Sequence, residues 1–181
     1  MTRSTSASVA LAAMAGAMLL AGSATAQVAQ SGYSLPLSLA IEAAAEAIRT
    51  CEANGYNVTA TVVDSSGVVK LQAKGDHSTI HTKDTAFRKA YTVVTLGPIF
   101  KFEATSRFAE LAAKSPSGPA ITSLPDILAL AGGVAVKHGD EIVAALGIGG
   151  APGGDKDEAC AEAGVAKIRD RVAAAAKTAS H

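Results

Sequence analysis

Two stretches of the chain decide its fold class: residues 58–73, VTATVVDSSGVVKLQA, and residues 134–148, VAVKHGDEIVAALGI. Each stretch contains two runs rich in valine, alanine and other strand-compatible residues, with a short turn sequence containing glycine between the runs. This pattern predicts a β-hairpin in each stretch, and hairpin strands pair in the antiparallel direction. We therefore expect one antiparallel sheet that is built from two hairpins.

Helical stretches lie before, between and after the two hairpins. Apolar residues at helical spacing predict helices over residues 37–53, 78–96, 102–113 and 155–177. Ser78 is placed to cap the second helix, and Gly97-Pro98 is placed to end it. Residues 121–130 are expected to form a strand, a turn and a strand. No repeat or linker interrupts the pattern, so the sequence predicts a single α+β domain over residues 37–178, with helices packed on a sheet.

The first 26 residues have the three parts of a secretory signal peptide. Arg3 gives the positive start, residues 9–21 are apolar, and a small-x-small motif follows. We expect cleavage before Gln27 and a flexible leader over residues 27–36. The alternative is a membrane anchor, but about 13 apolar residues are too few for a bilayer, which needs about 20. The expected mature protein is therefore periplasmic or secreted and has no membrane span.

The expected mature chain is nearly neutral. The whole chain has 16 Lys+Arg and 16 Asp+Glu, and of these only Arg3 lies in the first 26 residues. This balance argues against a nucleic-acid partner, since nucleic-acid binding proteins show a basic patch or a high pI. All three methionines also lie in the first 26 residues. The mature chain therefore has no thioether to offer a metal or haem.

Two cysteines, Cys51 and Cys160, lie on predicted helices near the two ends of the expected mature chain. They form no CxxC metal or redox motif and no CxxCH haem-attachment motif. In an oxidising compartment such cysteines form a disulfide when their helices are neighbours. The alternative is that both are buried thiols that pack as small apolar residues. The residues alone leave both interpretations open.

The candidate metal ligands are His77 and His81. Their spacing of four places both imidazoles on one side of a helix start, with Asp76 and Asp84 close by in the sequence. A neutral imidazole nitrogen binds zinc, copper, nickel or haem iron. The pattern lacks the HExxH motif and names no third ligand, so two solvated histidines are the alternative interpretation. His138 is expected in a solvated hairpin turn.

The glycine-rich residues 147–154 lie between a predicted strand and a predicted helix. Their spacing is GxGGxxGG rather than GxGxxG, and the strand before them belongs to a hairpin, so a nucleotide site is not indicated. A tight turn is the expected role, and the binding of a carboxylate or propionate by its amides is the alternative. Asp155, Asp157 and Glu158 are expected to favour the positive end of the last helix. Acyl transfer is unsupported because no GxSxG motif is present.

Six short motifs follow one another along the chain: Val62-Val63-Asp64-x-x-Gly67, Asp84-Thr85-Ala86-x-x-Lys89-Ala90-Tyr91-Thr92, Gly132-Gly133-Val134, Gly147-Ile148-Gly149-Gly150, Asp157-Glu158 and Ala163-Gly164. Their order and spacing resemble the GlcG/HbpS-type haem-binding family, to which the C-terminal domain of PduO-type adenosyltransferases is related. The resemblance extends from about residue 37 to the last helix. One departure is Ala135, which stands where the family often has a proline.

The resemblance implies a profilin-like fold, an antiparallel sheet flanked by helices, in which the terminal helices are adjacent. That arrangement would allow Cys51 and Cys160 to meet. The resemblance also implies homo-oligomers, and haem or a related tetrapyrrole as the ligand. The haem ligand is not constant across the family, so none transfers by motif.

On this chain His77 and His81 are the first candidates for the haem ligand. Tyr91, which lies beside Lys89 and Thr92 in the matching motif, is the second candidate, although its helical position is also that of a core residue. The cationic side chains of this helix, Lys83, Arg88 and Lys89, are candidates for contacts with haem propionates, and a solvated helix face is the alternative interpretation.

Three functions are compatible with this reading. The first is an exported, oligomeric protein that binds haem non-covalently, in haem handling or redox sensing. The second is an enzyme that uses the same pocket to degrade haem or to process a small acid. The third is a structural or sensory partner without a tight ligand. No acid/base pair of defined geometry is visible, so the sequence favours a binding protein over a dedicated enzyme.

Overall fold

The computed structural model describes residues 31–178, so the expected signal peptide lies outside the described residues. In chain order the elements are α1 (Leu37–Ala53), β1 (Thr59–Asp64), β2 (Val69–Lys74), α2 (Thr82–Phe100), α3 (Thr105–Lys114), α4 (Gly118–Thr122), β3 (Gly133–His138), β4 (Glu141–Gly149) and α5 (Gly154–Thr178). Among these residues no helix is long and apolar enough to cross a membrane.

The four strands form one antiparallel sheet in the order β2-β1-β4-β3. β1 pairs with β2 and β3 pairs with β4, as hairpins, and the two hairpins join because β1 also pairs with β4. β2 and β3 are therefore the two edge strands. The expected α+β class, with a single antiparallel sheet and helices packed on it, is confirmed.

Helices cover both faces of the sheet. α1 and α5 pack together on one face, and α2 packs against β1 and β4 on the other face. Glycines allow the closest approaches: a Cβ on Gly164 would lie 2.4 Å from the Ala43 carbonyl oxygen, and a Cβ on Gly147 would lie 2.0 Å from the Ala86 carbonyl oxygen. Both helix layers therefore depend on positions where no side chain is tolerated.

A disulfide joins the two helices on the α1–α5 face. Cys51 and Cys160 are buried, their Cα atoms lie 5.6 Å apart, and 109 positions separate them in the sequence. In the chain-entropy description, closing a loop of this length stabilises the folded state by about 4–5 kcal/mol. The terminal helices are thus neighbours, as the pairing requires.

The expected strand, turn and strand over residues 121–130 is wrong. The short helix α4 ends at Thr122, and none of the residues that follow it up to Gly132 belongs to a strand. Pro119 lies in the first turn of α4, where the missing N–H costs nothing, and Asp126 has a φ of +63°, which interrupts an extended chain. Apolar residues here serve to cover α2 rather than to extend the sheet.

Both expected boundaries of the second helix are also wrong. The Ser78 hydroxyl donates to the Gly75 carbonyl oxygen at 3.0 Å, so Ser78 closes a turn before the helix, which begins at Thr82. Pro98 lies inside α2, and the helix continues to Phe100. The next residue, Lys101, has a φ of +57°, and its N–H donates to the Gly97 carbonyl oxygen. Pro98 removes one helical N–H donor, and the helix continues for two residues beyond it.

The residues before α1 pack on the domain. Leu35 is buried in the core, and the Tyr33 ring stacks on His138 with the ring centroids 4.3 Å apart. The Ser31 N–H donates to the Glu141 carboxylate, at 2.9 Å to one oxygen. His138 ends β3 and is buried, so its expected place in a solvated turn is wrong.

Candidate functional site

The candidate ligand residues lie along α2 and the loop before it, in two different environments. His77 and His81 are exposed at its start, whereas Lys89 and Thr92 are buried in its middle. Tyr91 is half-buried. The structure therefore does not bring the five residues together on one surface.

The loop before α2, which carries the two histidines, is anchored to β1 by buried hydroxyl contacts. The Thr59 hydroxyl, at the start of β1, lies 2.7 Å from the Thr82 hydroxyl and 3.2 Å from the Ser78 hydroxyl, and all three residues are buried. These contacts fix the buried side of the loop, whereas His77 and His81 are exposed to solvent.

The two histidines differ in backbone and in ring contacts. His77 has a φ of +62°, a left-handed conformation that costs a non-glycine residue about 1 kcal/mol or more. His81 directly precedes the helix, and its Nδ1 lies 3.1 Å from the Thr79 hydroxyl oxygen. This contact orients the ring and leaves Nε2 as the nitrogen that can bind a ligand. Between the two histidines Ile80 is 72% exposed, which adds apolar surface to this turn.

The donor chemistry of this turn fits haem better than a bare metal ion. No group of three or more histidine, cysteine or acidic side chains suited to hold a metal ion occurs within residues 31–178. Haem supplies four nitrogen donors of its own, so one or two imidazole nitrogens from the protein would be enough to hold its iron. His77 and His81 can provide such ligands.

In the middle of α2, Lys89 makes a buried ion pair with Asp157 of α5. The Lys89 Nζ lies 2.6 Å from Asp157 Oδ2 and also donates to the Ile148 carbonyl oxygen at 2.9 Å. Lys89 and Asp157 are 1% and 3% exposed. Burial raises the pKa of the Asp157 carboxyl, and Lys89 and the Ala151 N–H oppose this shift. The carboxylate therefore depends on these partners to remain charged.

Glycine-rich backbone surrounds this ion pair. A Cβ on Gly132 would lie 2.7 Å from the Lys89 Nζ, and the Ala151 N–H donates to Asp157 Oδ1 at 2.9 Å. The neighbouring Glu158 accepts the Gly132 N–H at 3.1 Å. The amides of the glycine-rich loop thus hold a carboxylate, as the alternative interpretation allowed, but the carboxylate belongs to the chain itself.

Tyr91 and Thr92 hold neighbouring segments in place. A Cβ on Gly67 would lie 2.7 Å from the Tyr91 ring, so the β1–β2 turn packs directly on that ring. The Thr92 hydroxyl donates to the Arg88 carbonyl oxygen at 2.8 Å and accepts the Leu128 N–H at 2.9 Å. Through this bond Thr92 holds the loop that follows α4 against α2.

A groove of about 760 Å³ lies along the opposite edge of the sheet, between β3 and α5. Its floor and walls include Val134, Val136 and Ala166, and charged side chains lie at its rim. None of the sequence-predicted site residues lines it.

Sequence reasoning missed the partner of Lys89 and missed this groove. From the sequence, Asp157 is expected to favour the positive end of the last helix, although the Asp157-Glu158 motif in the family resemblance is a signal that these acids matter. The groove has no sequence motif, because it depends on how α5 lies beside an edge strand.

Comparisons with a family model and with solved structures place this chain among known proteins. The family model described as haem degrading protein HbpS-like matches residues 35–166. The crystal structure of HbpS is 35% identical, with a TM-score of 0.67, and the match covers 74% of this chain and 89% of that chain. A double mutant of HbpS from Streptomyces reticuli is 33% identical, with a TM-score of 0.68 and coverage of 89% and 97%.

The structure of a PduOC:heme complex shares the fold at 19% identity, with a TM-score of 0.65 and coverage of 75% of this chain and 96% of that chain. The comparison with curated proteins found no match.

The fold and these matches define the class of the protein, which is a single α+β domain of the HbpS type. The chain belongs to the HbpS-like family of haem-degrading proteins. The family expected from the six sequence motifs is therefore confirmed.

Proposed function

We propose that the protein is exported and binds haem, or a related tetrapyrrole, non-covalently as a homo-oligomer. Its role would be haem handling or redox sensing outside the cytoplasm. The observation that carries the proposal is the HbpS-like match over residues 35–166. The haem complex of PduOC, which has the same fold, supports the choice of ligand.

In this proposal the haem iron is held at the start of α2. His81 offers Nε2 because Thr79 contacts its Nδ1, and exposed His77 offers a second imidazole. Exposed Lys83, in the first turn of α2, provides a cation for a propionate. The bound haem would supply an iron centre that takes part in ligand binding and electron transfer.

The turn by itself covers little of a planar macrocycle, since both histidines and Ile80 are exposed in the single chain.

The disulfide supports the proposed location outside the cytoplasm, because disulfides persist in oxidising compartments. N-terminal sequencing of the protein recovered from an extracytoplasmic fraction tests this. The proposal expects a chain that starts at Gln27, and an uncleaved chain in the cytoplasm would contradict it.

A haemin titration of the protein that starts at Gln27, followed as a difference spectrum, tests the ligand. We expect a saturable Soret band with a defined stoichiometry per chain. A spectrum that rises without saturation, as haemin does on non-specific surfaces, would contradict haem binding.

A second candidate function is haem degradation at the same place, and the description of the family as haem degrading favours it. Addition of peroxide or a reductant to the haem complex separates the two functions. Progressive loss of the Soret band, faster than for free haemin, would indicate degradation, and a stable band would indicate storage or sensing.

A further inference from the structure

We propose that the groove between β3 and α5 is the contact between two copies of this chain, related by a two-fold axis that passes near Ala166. The inference rests on the homo-oligomer in the proposed function and names the surface that forms it. This surface lies along β3, whereas the histidine turn follows β2 at the other edge of the sheet.

The outer row of α5 along this groove is formed by Glu162, Ala166, Arg169 and Ala173, at helical intervals of three and four. All four are exposed. The two alanines leave room for another helix to approach closely, since short side chains allow small distances between helix axes. Behind this row, Val165 and Val172 are buried against the domain.

The other wall of the groove is an edge strand. β3 pairs with β4 on one side only, and its free side is covered near the start, where Ala104 forms a bridge with Val134. The Lys137 Nζ lies 2.7 Å from a Glu103 carboxylate oxygen across this edge. The strand edge is therefore partly protected, and the α5 row is the more open half of the surface.

The charges of the groove indicate a second copy as the occupant. The rim has two acids, Glu103 and Glu162, and two bases, Lys137 and Arg169, so it has no net charge that would attract a nucleic acid or an acidic membrane. Within residues 31–174, neither Glu162 nor Arg169 makes an ion pair.

When two α5 helices cross antiparallel about an axis near Ala166, Glu162 of one copy faces Arg169 of the other, and the same pair forms a second time by symmetry. A two-fold interface requires this kind of self-complementary surface. The lined part of α5, Ala159 to Ala173, spans about 21 Å at 1.5 Å per residue, which is long enough for a packed helix pair.

Charge reversal tests the contact. Sedimentation velocity over a range of concentrations would compare the wild type with Glu162→Arg, Arg169→Glu and the double variant that carries both changes. We expect each single reversal to weaken association about tenfold or more, because two attractive contacts become repulsive. The double variant should recover the wild-type association, since the pairs are restored in exchanged positions.

Glu52→Arg is the matched control, with the same change of charge at an exposed position on α1, and should associate as the wild type does. Ala166→Glu, at an exposed site beside the axis, should weaken association because two like charges meet. A wild type that is monomeric throughout, single reversals without effect, or a double variant as dissociated as the single ones would overturn the proposal.

Haemin binding is measured on the same samples and separates the two proposals. The charge variants leave His77 and His81 unchanged. If haemin binding is saturable but the charge variants associate as the wild type does, only the proposed interface is rejected. If the variants change association as expected but haemin binding is not saturable, only the proposed ligand is rejected.

Discussion

The start and the middle of α2 differ in almost every physical respect, although about ten residues separate them. At the start, His77 and His81 are exposed, and His77 has a left-handed backbone. In the middle, Lys89 and Thr92 are buried and every polar contact that they make ties α2 to another part of the domain or to its own backbone. The middle of the helix holds the fold together, and the start is free to meet a ligand.

The largest expected effect is the loss of the buried ion pair. Lys89→Met should lower the free energy of unfolding by about 3–5 kcal/mol, because it leaves the Asp157 carboxylate buried without its cation. Urea unfolding measures this change. Lys83→Met, at an exposed position in the first turn of the same helix, is the control and should change stability by less than about 0.5 kcal/mol.

The double variant Lys89→Met/Asp157→Asn sharpens the test. It should recover a large part of the loss, since the asparagine is neutral and still accepts the Ala151 N–H. A double variant less stable than Lys89→Met would show that buried charge is not the cause of the loss.

A smaller effect is expected at Thr92. Thr92→Val keeps the shape but removes the acceptor of the Leu128 N–H, and should cost about 1–2 kcal/mol. Thr95→Val is a matched control, because within the described residues the Thr95 hydroxyl donates to the Tyr91 carbonyl oxygen of the same helix and to no other segment. Thermal or urea unfolding measures both variants. Equal losses of unfolding free energy would mean that the hydrogen bond from Leu128 to Thr92 adds nothing to stability.

The smallest expected effect is at the start of the helix and has the opposite sign. His77→Gly should leave stability unchanged or raise it by up to about 1 kcal/mol, because glycine adopts the observed φ of +62° without steric cost. His81→Gly should lower stability slightly, because His81 has a helical φ of −69° at which glycine only adds chain entropy to the unfolded state. A clear loss of stability in His77→Gly would contradict the view that the His77 side chain contributes nothing to stability.

The sequence was sufficient for the features that depend on local periodicity. Alternating and β-branched runs predicted both hairpins, and apolar spacing predicted the longer helices, because each pattern reflects contacts within a few residues. The strand prediction over residues 121–130 failed since a short apolar run has the same composition in a strand and in a loop that covers a helix. Pro119 and Asp126 determine the outcome there.

The site was less predictable than the fold because its contacts are long-range. Lys89 and Asp157 are 68 positions apart, and no local pattern shows that their charges meet inside the domain. The same motif that suggested Lys89 as a ligand residue is explained by this contact with α5. The histidine pair was visible in the sequence because its spacing is local, and the structure adds that both side chains are exposed.

One measurement tests the central claim that the exposed start of α2, rather than its buried middle, binds haem. Haemin is titrated into the wild type, His77→Ala, His81→Ala and the variant with both changes, with His138→Gln as a control histidine that stacks on Tyr33 at the end of β3. The double variant should keep its unfolding free energy but lose saturable binding, while His138→Gln should bind as the wild type does. Wild-type binding by the double variant would contradict this claim.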